Sequence, residues 1–239
     1  MRAAVVAVFT LFGPSLAFAG GNQDTAVTQL EYGREHDAAS DRAYLSPTAI
    51  TPREGTWTLS LRQPTLPLSY LTAGYAVSDR VMITAGLAVP LGENATTLGS
   101  ASVEIQLASS DDAALALQTG VYGTRDGTMT YATLVGTACW SERECAATAT
   151  AYVTASLAPG ADRVALTGGG SIGIGGSSVR FLLEADVVDD QDYTPGYLGM
   201  IGLRFPGARW TIDAGAGGLV SPEAEFAAPA LLFDASVRM

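Results

Sequence analysis

The sequence predicts an all-β protein, an antiparallel up-and-down transmembrane β-barrel of about 12 strands. Three observations lead to this prediction. Short runs of alternating apolar and polar residues fill the chain from about residue 55 onward, and the mean hydropathy is positive (+0.23) although the net charge is −11. The amino-terminal segment also has the pattern of an export signal. After that segment no apolar run is long enough for a transmembrane helix, which needs about 20 residues.

Residues 1–19 are predicted to form a signal peptide. Arg2 provides a positive amino-terminal region, residues 3–12 form an apolar stretch, and residues 17–19 (Ala-Phe-Ala) match a small-x-small cleavage site. The apolar stretch is too short to cross a bilayer, so it is not an anchor. We therefore expect an exported chain that begins at Gly20.

Residues 20–42 are predicted to form a flexible periplasmic arm, and residues 43–239 the barrel. The arm is polar, rich in Gly and Asp, and weakly patterned. His36, the only histidine of the chain, lies in this arm beside two acidic neighbours. We interpret His36 as a solvated side chain.

Period-2 alternation defines the candidate strands. In residues 179–187, Val179, Phe181 and Leu183 fall on one face, and Arg180 and Glu184 fall on the other, as in a strand with one apolar and one polar side. Similar runs predict twelve strands: 56–64, 68–77, 80–89, 99–109, 112–123, 127–138, 145–157, 162–173, 177–188, 194–205, 208–217 and 228–238. Ten strands are an alternative.

The same periodicity fits a soluble β-sandwich, which is the alternative fold. A sandwich turns its apolar face inward, whereas a barrel in lipid turns its apolar face outward and accepts small and charged residues inside. The export signal, the positive hydropathy and the even strand number favour the barrel. A closed barrel also has no free sheet edge.

Barrel topology predicts short connections at the end that holds both termini and longer ones at the other end. The connections near residues 79, 111, 175 and 207 fit the short class, and those near 94, 192 and 223 fit the long class. Two connections depart from the pattern. The connection at 124–127 is short, and the one at 140–144 is longer than expected.

Composition argues against several function classes. The chain has no lysine, and its 13 basic residues face 24 acidic ones, so it lacks the basic surface of a nucleic-acid-binding protein. The only histidine, His36, lies in the predicted arm, so a His-dependent catalytic group in the barrel would lack its base. We expect a non-enzymatic protein with no cofactor and no nucleic-acid partner.

Cys139 and Cys145 are the only cysteines, and they flank one of the irregular connections. In an exported protein this spacing predicts a disulfide that clamps a hairpin. A metal site would need two further soft ligands, and a redox pair more often has a Cys-x-x-Cys spacing.

A set of charged residues falls on the polar face of the strands, which is the lumen side of a barrel. Because isolated buried charges are costly, two hypotheses follow: a salt-bridged lumen that is held shut, or a charged constriction in a small diffusion channel. The predicted lumen charges are Arg62, Glu104, Arg180, Glu184, Asp186, Arg204, Asp213, Asp234 and Arg238.

An acidic cluster lies between the ninth and tenth candidate strands. Asp189, Asp190 and Asp192 offer carboxylate oxygens of the kind that bind calcium or share divalent cations with lipopolysaccharide. The alternative is a solvated surface loop, which we favour, so no metal site is assigned.

Three short segments resemble a group of poorly characterised bacterial outer-membrane β-barrel proteins. They are residues 42–50 (RAYLSPTAI), residues 52–57 (PREGTW) and residues 74–81 (GYAVSDRV). In that group an "SPTA…GEG" segment precedes strands that end in "YGVTD". This chain has Arg53-Glu54-Gly55 in place of Gly-Glu-Gly, and its last residue is Met239 rather than an aromatic residue read by the assembly machinery. The resemblance implies an outer-membrane barrel and no particular substrate.

The functional prediction is an outer-membrane β-barrel that is either structural or a small passive pore for polar solutes. The alternatives are a secreted or periplasmic β-sandwich for binding or adhesion, and a barrel for uptake of a hydrophobic ligand. The expected partners are outer-membrane lipid, lipopolysaccharide and the barrel-assembly machinery.

Overall fold

The computed structural model describes residues 35–40, 42–43, 47–65, 68–90, 98–124, 127–140, 145–158, 160, 162–189, 196–220 and 228–239. The predicted signal peptide and residues 20–34 of the predicted arm lie outside this part of the chain. No helix among the described residues is long and apolar enough to cross a membrane.

Twelve antiparallel strands form a single closed barrel, in which each strand pairs with its neighbours in sequence and β1 pairs with β12. This confirms the predicted fold class and strand number, and the alternatives of ten strands and of a soluble β-sandwich are wrong. The strands are β1 Trp57–Thr65, β2 Leu68–Ser78, β3 Val81–Pro90, β4 Leu98–Ser109, β5 Ala113–Thr124, β6 Gly127–Trp140, β7 Ala147–Leu157, β8 Ala165–Gly175, β9 Arg180–Asp189, β10 Gly196–Phe205, β11 Trp210–Val220 and β12 Ala228–Arg238.

The strands turn apolar side chains outward. On β9, Phe181, Leu183 and Val187 are exposed on the outer face, while Leu182 and Glu184 between them are buried. The adjacent strands repeat this alternation, so the outer surface is an apolar band. Such a surface is matched to lipid, and closure of the sheet leaves no free strand edge in the hydrocarbon.

The barrel has two different rims. The C-terminal rim, where β12 ends, carries the connections at 79–80, 110–112, 141–146, 176–179 and 206–209. The loop rim, at the other end, carries 66–67, 91–97, 125–126, 158–164, 190–195 and 221–227. The two predicted irregularities are present, since only two residues separate β5 from β6, and six separate β6 from β7.

A disulfide joins Cys139 at the end of β6 to Cys145 just before β7. Both sulfur-bearing residues are buried, with 1% of each exposed. The predicted disulfide is thus present, and it joins the end of β6 to the residues just before β7 at the C-terminal rim.

A segment before β1 lies inside the barrel. Residues 37–40, 42–43 and 48–52 are buried, and we call residues 37–52, as far as they are described, the plug. The prediction of a free arm up to residue 42 is therefore wrong for its described residues 37–40 and 42. The arm was predicted from weak apolar periodicity, but a segment inside a polar lumen is held by hydrogen bonds and ion pairs and needs no such periodicity.

Candidate functional site

Arg204 on β10 connects the barrel wall to the plug. Its Nε and Nη2 atoms donate to the two carboxylate oxygens of Asp213 at 2.8 and 2.7 Å, a bidentate pair across the β10–β11 ladder. Its guanidinium also donates to the carbonyl oxygens of Ala39, Arg42 and Ala43 at 2.9–3.2 Å. The planar fork of arginine suits such a site because several donors project from one rigid group.

Asp37 is the plug's own anchor on the same side of the lumen. Its carboxylate accepts hydrogen bonds from Arg204 Nη1 at 3.2 Å, from the Thr211 hydroxyl at 2.8 Å and from the backbone N–H of Ala39 at 2.9 Å. Burial by itself would raise the pKa of Asp37, but the positive charges of Arg204 and Arg180 and these hydrogen bonds outweigh it and hold the pKa below 3.8. Asp37 is therefore ionised at neutral pH.

A second ionic group lies next to the first, around Asp234 on β12. Its carboxylate meets Arg62 of β1 at 3.2 Å and Arg42 of the plug at 3.4 Å. Arg42 also donates to the hydroxyl of Ser236 at 2.6 Å. The plug thus contributes one acid and one base to a lumen whose wall carries charges of both signs.

The rim side of the plug is held by Arg238 on β12. Its Nη2 atom donates to the carbonyl oxygen of Asp37 and to the hydroxyl of Ser40, and the Ala38 N–H donates to the Gly207 carbonyl at 2.9 Å. These contacts lie where the chain enters the barrel at the C-terminal rim.

A third group of charges lies on β9. Glu184 and Asp186 are almost fully buried, and the hydroxyl of Tyr152 donates to Asp186 at 2.6 Å. Gly169 on β8 lies beside Asp186, and any side chain at that position would collide with its carboxylate. Gly169 therefore makes room for the buried carboxylate of Asp186.

The plug also contacts the far side of the lumen, although more weakly. The Ala49 N–H donates to the Thr137 hydroxyl at 2.9 Å, and the Thr51 hydroxyl lies 3.4 Å from the carboxylate of Glu104. Ala49 and Ile50 belong to an apolar cluster with the disulfide formed by Cys139 and Cys145. The plug therefore has an ionic side and an apolar side.

These contacts leave little space around the plug. A cavity of about 30 Å³ remains between the plug and the wall, lined by residues that include Asp37, Arg42 and Arg180. It has room for one or two water molecules and not for a solute.

The loop-rim half of the lumen differs from the plugged half. Here several inward side chains keep contact with solvent: Tyr70 is 37% exposed, and Tyr122, Tyr131 and Thr154 are partly exposed. In the plugged half, by contrast, Thr137 and Thr211 are 1% exposed. We call the accessible half the vestibule.

The predicted site residues can now be placed. All nine predicted lumen charges lie on the inner face, and the structure brings Arg204 to Asp213 and Arg62 to Asp234, whereas Glu104 lies apart on β4. Asp189 ends β9, and Asp190 and Asp192 lie outside the described residues. No group of three or more potential metal ligands occurs among the residues that the structure describes.

Sequence reasoning missed Asp37 and Arg42, because both were assigned to the arm. It also passed over the inward tyrosines. A signal for Asp37 and Arg42 is that they bracket a short alanine-rich stretch, Ala38 and Ala39, which is small enough to lie against a crowded wall. That signal becomes meaningful only when the wall is known.

No family model matches the chain, and no curated protein matches it. Among solved structures, "KdgM porin" superposes with a TM-score of 0.56 at 6% identity, over 77% of this chain and 97% of that one. A second, "KdgM porin in complex with disordered oligogalacturonate", gives a TM-score of 0.57 at 7% identity over 77% and 97% of the two chains. "LpxR from Salmonella typhimurium" gives 0.47 at 10% identity over 77% and 99%. At 6–7% identity the likeness to the two KdgM porin structures concerns the fold, and the closed barrel with its apolar outer face is that of an outer-membrane β-barrel.

Proposed function

We propose that this protein is a porin-like outer-membrane barrel whose passive path for polar solutes is closed by its own amino-terminal plug. The observation that carries the proposal is the burial of residues 37–40, 42–43 and 48–52 inside the lumen. In this proposal the lumen of the resting barrel is closed. The alternative is a lumen that is permanently open around a charged constriction.

The attachment of the plug supports closure. Two ion pairs that have little contact with water, Asp37 with Arg204 and Arg42 with Asp234, join the plug to β10 and β12. Breaking such a pair while one partner stays buried costs several kcal/mol, so the plug should remain in place without an applied signal.

The charge balance of the lumen bears on which solutes could pass when the plug is displaced. In the described interior, the acidic residues Asp37, Glu104, Glu184, Asp186, Asp213 and Asp234 face the arginines Arg42, Arg62, Arg180, Arg204 and Arg238. This near-balance gives no excess of positive charge to attract a polyanion such as the oligogalacturonate named with one of the similar structures. Small neutral polar solutes are the class that the wall favours.

The proposal has no catalytic step. His36, the single histidine of the chain, is exposed and precedes the plug, so it lies on none of the barrel strands. The charged lumen also argues against uptake of a hydrophobic ligand. The proposed partners are the lipids and lipopolysaccharide around the barrel, and the assembly machinery that inserts it.

Planar-bilayer recording tests the proposal. The intact protein should give little conductance, whereas a variant that lacks residues 35–52 should conduct steadily. A gentler variant, Asp37→Asn with Arg42→Gln, removes the plug's charged contacts and leaves every barrel residue unchanged, and it should open intermittently. A heat-dependent shift in gel mobility shows that each variant has formed its barrel. Equal conductance of the intact protein and the deletion variant would contradict the proposal.

A further inference from the structure

The vestibule carries three tyrosines on one part of its wall, and we call Tyr70, Tyr122 and Tyr131 the tyrosine shelf. The strand register places all three on the inner face, because they pair with Arg62, Ser100 and Gly120, which point inward. The rings of Tyr122 and Tyr131 have centroids 5.9 Å apart and are inclined by 45°. Tyr70 lies on the inner face of β2, three strands from Tyr122 on the same side of the barrel.

Small residues make room for the shelf. The inward positions of β3 to β5 between the tyrosines are Gly86, Ala88, Leu98, Ser100 and Gly120, all of them small except Leu98. A Cβ atom at Gly120 would lie only 2.8 Å from the hydroxyl oxygen of Tyr131, so that glycine allows the ring to lie along the wall. The shelf is thus positioned by its neighbours on the wall.

Hydroxyl groups continue the wall beyond the shelf. Ser156 and Thr154 on β7 and Thr167 on β8 follow Tyr131 around the lumen in register. The hydroxyls of Thr133 and Thr154 hydrogen-bond to each other at 2.7 Å and mark the depth at which the vestibule begins to close. A molecule in the vestibule therefore meets aromatic rings on one side and hydroxyl groups on the other.

We propose that the vestibule binds a neutral saccharide, with a sugar ring against the tyrosine shelf and its hydroxyls toward the hydroxyl-bearing wall. A sugar ring has C–H faces that pack on aromatic rings and a rim of hydroxyls that need partners, so both surfaces are used. A purely apolar ligand would leave the wall hydroxyls without partners, which costs free energy. The positive charge in register with the shelf, Arg62 beside Tyr70, is paired with Asp234, so it offers a polyanionic ligand little attraction.

Calorimetric titration of the intact protein tests this inference. The probes are three neutral trisaccharides, namely maltotriose, cellotriose and the trimer of N-acetylglucosamine. The detergent should be lauryldimethylamine oxide, because maltoside detergents carry the chemistry of the probes. At least one trisaccharide should bind with one site per barrel. Trigalacturonate, spermidine and a short-chain fatty acid are tested alongside.

Matched variants connect any binding to the shelf. Tyr122→Ala and Tyr131→Ala should each weaken binding about tenfold, in line with the loss of an aromatic packing contact, whereas Tyr122→Phe should retain most of the affinity. Tyr197→Ala is the control, because Tyr197 is 47% exposed on the outer face of β10. Gel-mobility shifts establish that each variant has folded.

Several results would overturn the inference. They are an absence of binding by all three trisaccharides at millimolar concentration, tighter binding of the anionic, cationic or apolar probe, and an equal loss of affinity in Tyr197→Ala. The inference is independent of closure, because binding is measured with the plug in place. Saccharide binding by a barrel that conducts without deletion would contradict the proposed function and leave this inference standing.

Discussion

Arg204 is the side chain on which the plug's ionic side depends most directly. It makes six hydrogen bonds, two with Asp213, one with Asp37 and three with plug carbonyl oxygens. Arg204→Ala would leave Asp213 buried without its bidentate partner. We expect the variant to lose about 3–5 kcal/mol of unfolding free energy, the usual effect of removing one member of a buried pair. Urea unfolding of the refolded protein measures the loss.

Two further variants identify the cause of that loss. Arg209→Ala removes an exposed arginine from the connection at the C-terminal rim and should change the unfolding free energy by less than about 1 kcal/mol. Arg204→Ala combined with Asp213→Asn should recover part of the stability, because no unpaired charge is left. If the double variant is no more stable than Arg204→Ala, the unpaired charge of Asp213 is not the cause of the loss.

Asp37 gives the plug a dependence on pH. Its pKa is held below 3.8, so its contribution to plug binding is complete above that value and is lost as the pH falls through the lower folded pKa. The charged groups around it are Arg180 on β9, Arg204 on β10, Asp213 on β11 and Arg238 on β12. We expect conductance to stay low from neutral pH down to about 4 and to rise below it.

The Asp37→Asn variant tests whether protonation of Asp37 causes the rise in conductance. It cannot titrate at position 37, so it should show raised conductance already at neutral pH and a smaller change on acidification. The conductance of the intact protein and of Asp37→Asn is recorded from neutral to acidic pH, and the two pH dependences are compared. An unchanged acid response in Asp37→Asn would assign the effect to other carboxylates of the lumen.

At the scale of strands, β9 and the plug show what the sequence could and could not reveal. In β9 the alternation of Phe181, Leu183 and Val187 with Glu184 and Asp186 is visible in the sequence, because a sheet with two different environments imposes period 2. The plug has no comparable signal. Its position depends on Arg204 reaching backbone carbonyls, and a carbonyl is present at every residue, so the sequence does not mark which ones are used.

The two faces of a strand should respond differently to charge. Leu183 is 46% exposed at the middle of the outer face, whereas Thr167 on β8 points into the vestibule. Leu183→Arg should lower the unfolding free energy in lipid vesicles by about 2–4 kcal/mol, because arginine then meets hydrocarbon. Thr167→Arg, the control, should have a much smaller effect. Equal effects at both positions would contradict the assignment of the faces.

The disulfide lies in the hairpin between β6 and β7. It closes a short loop and packs on Ala49 and Ile50 of the plug. Replacing both cysteines, as Cys139→Ser with Cys145→Ser, should lower the unfolding free energy by about 2 kcal/mol. It should also raise the conductance, because the apolar side of the plug loses its support. A stability loss with unchanged conductance would show that the disulfide serves the hairpin alone.

The three tryptophans indicate how the whole barrel is placed in the membrane. Trp57 begins β1, Trp140 ends β6 and Trp210 begins β11, so all of them lie at the C-terminal rim, each about half exposed. Tryptophan is favoured at the membrane–water interface, where its ring is amphipathic. Short connections and both chain ends of an outer-membrane barrel face the periplasm. We therefore place the C-terminal rim and the plug on the periplasmic side.

Labelling of intact cells tests this placement, because the native cysteines are paired and buried and give no background. A single cysteine is introduced at an exposed position of either rim, as Ser177→Cys at the C-terminal rim or Arg163→Cys at the loop rim. A membrane-impermeant maleimide should label Arg163→Cys in intact cells and should label Ser177→Cys only after the cells are broken. The reverse pattern would invert the barrel and place the plug at the cell surface, where it would close the path from outside and leave the vestibule open to the periplasm.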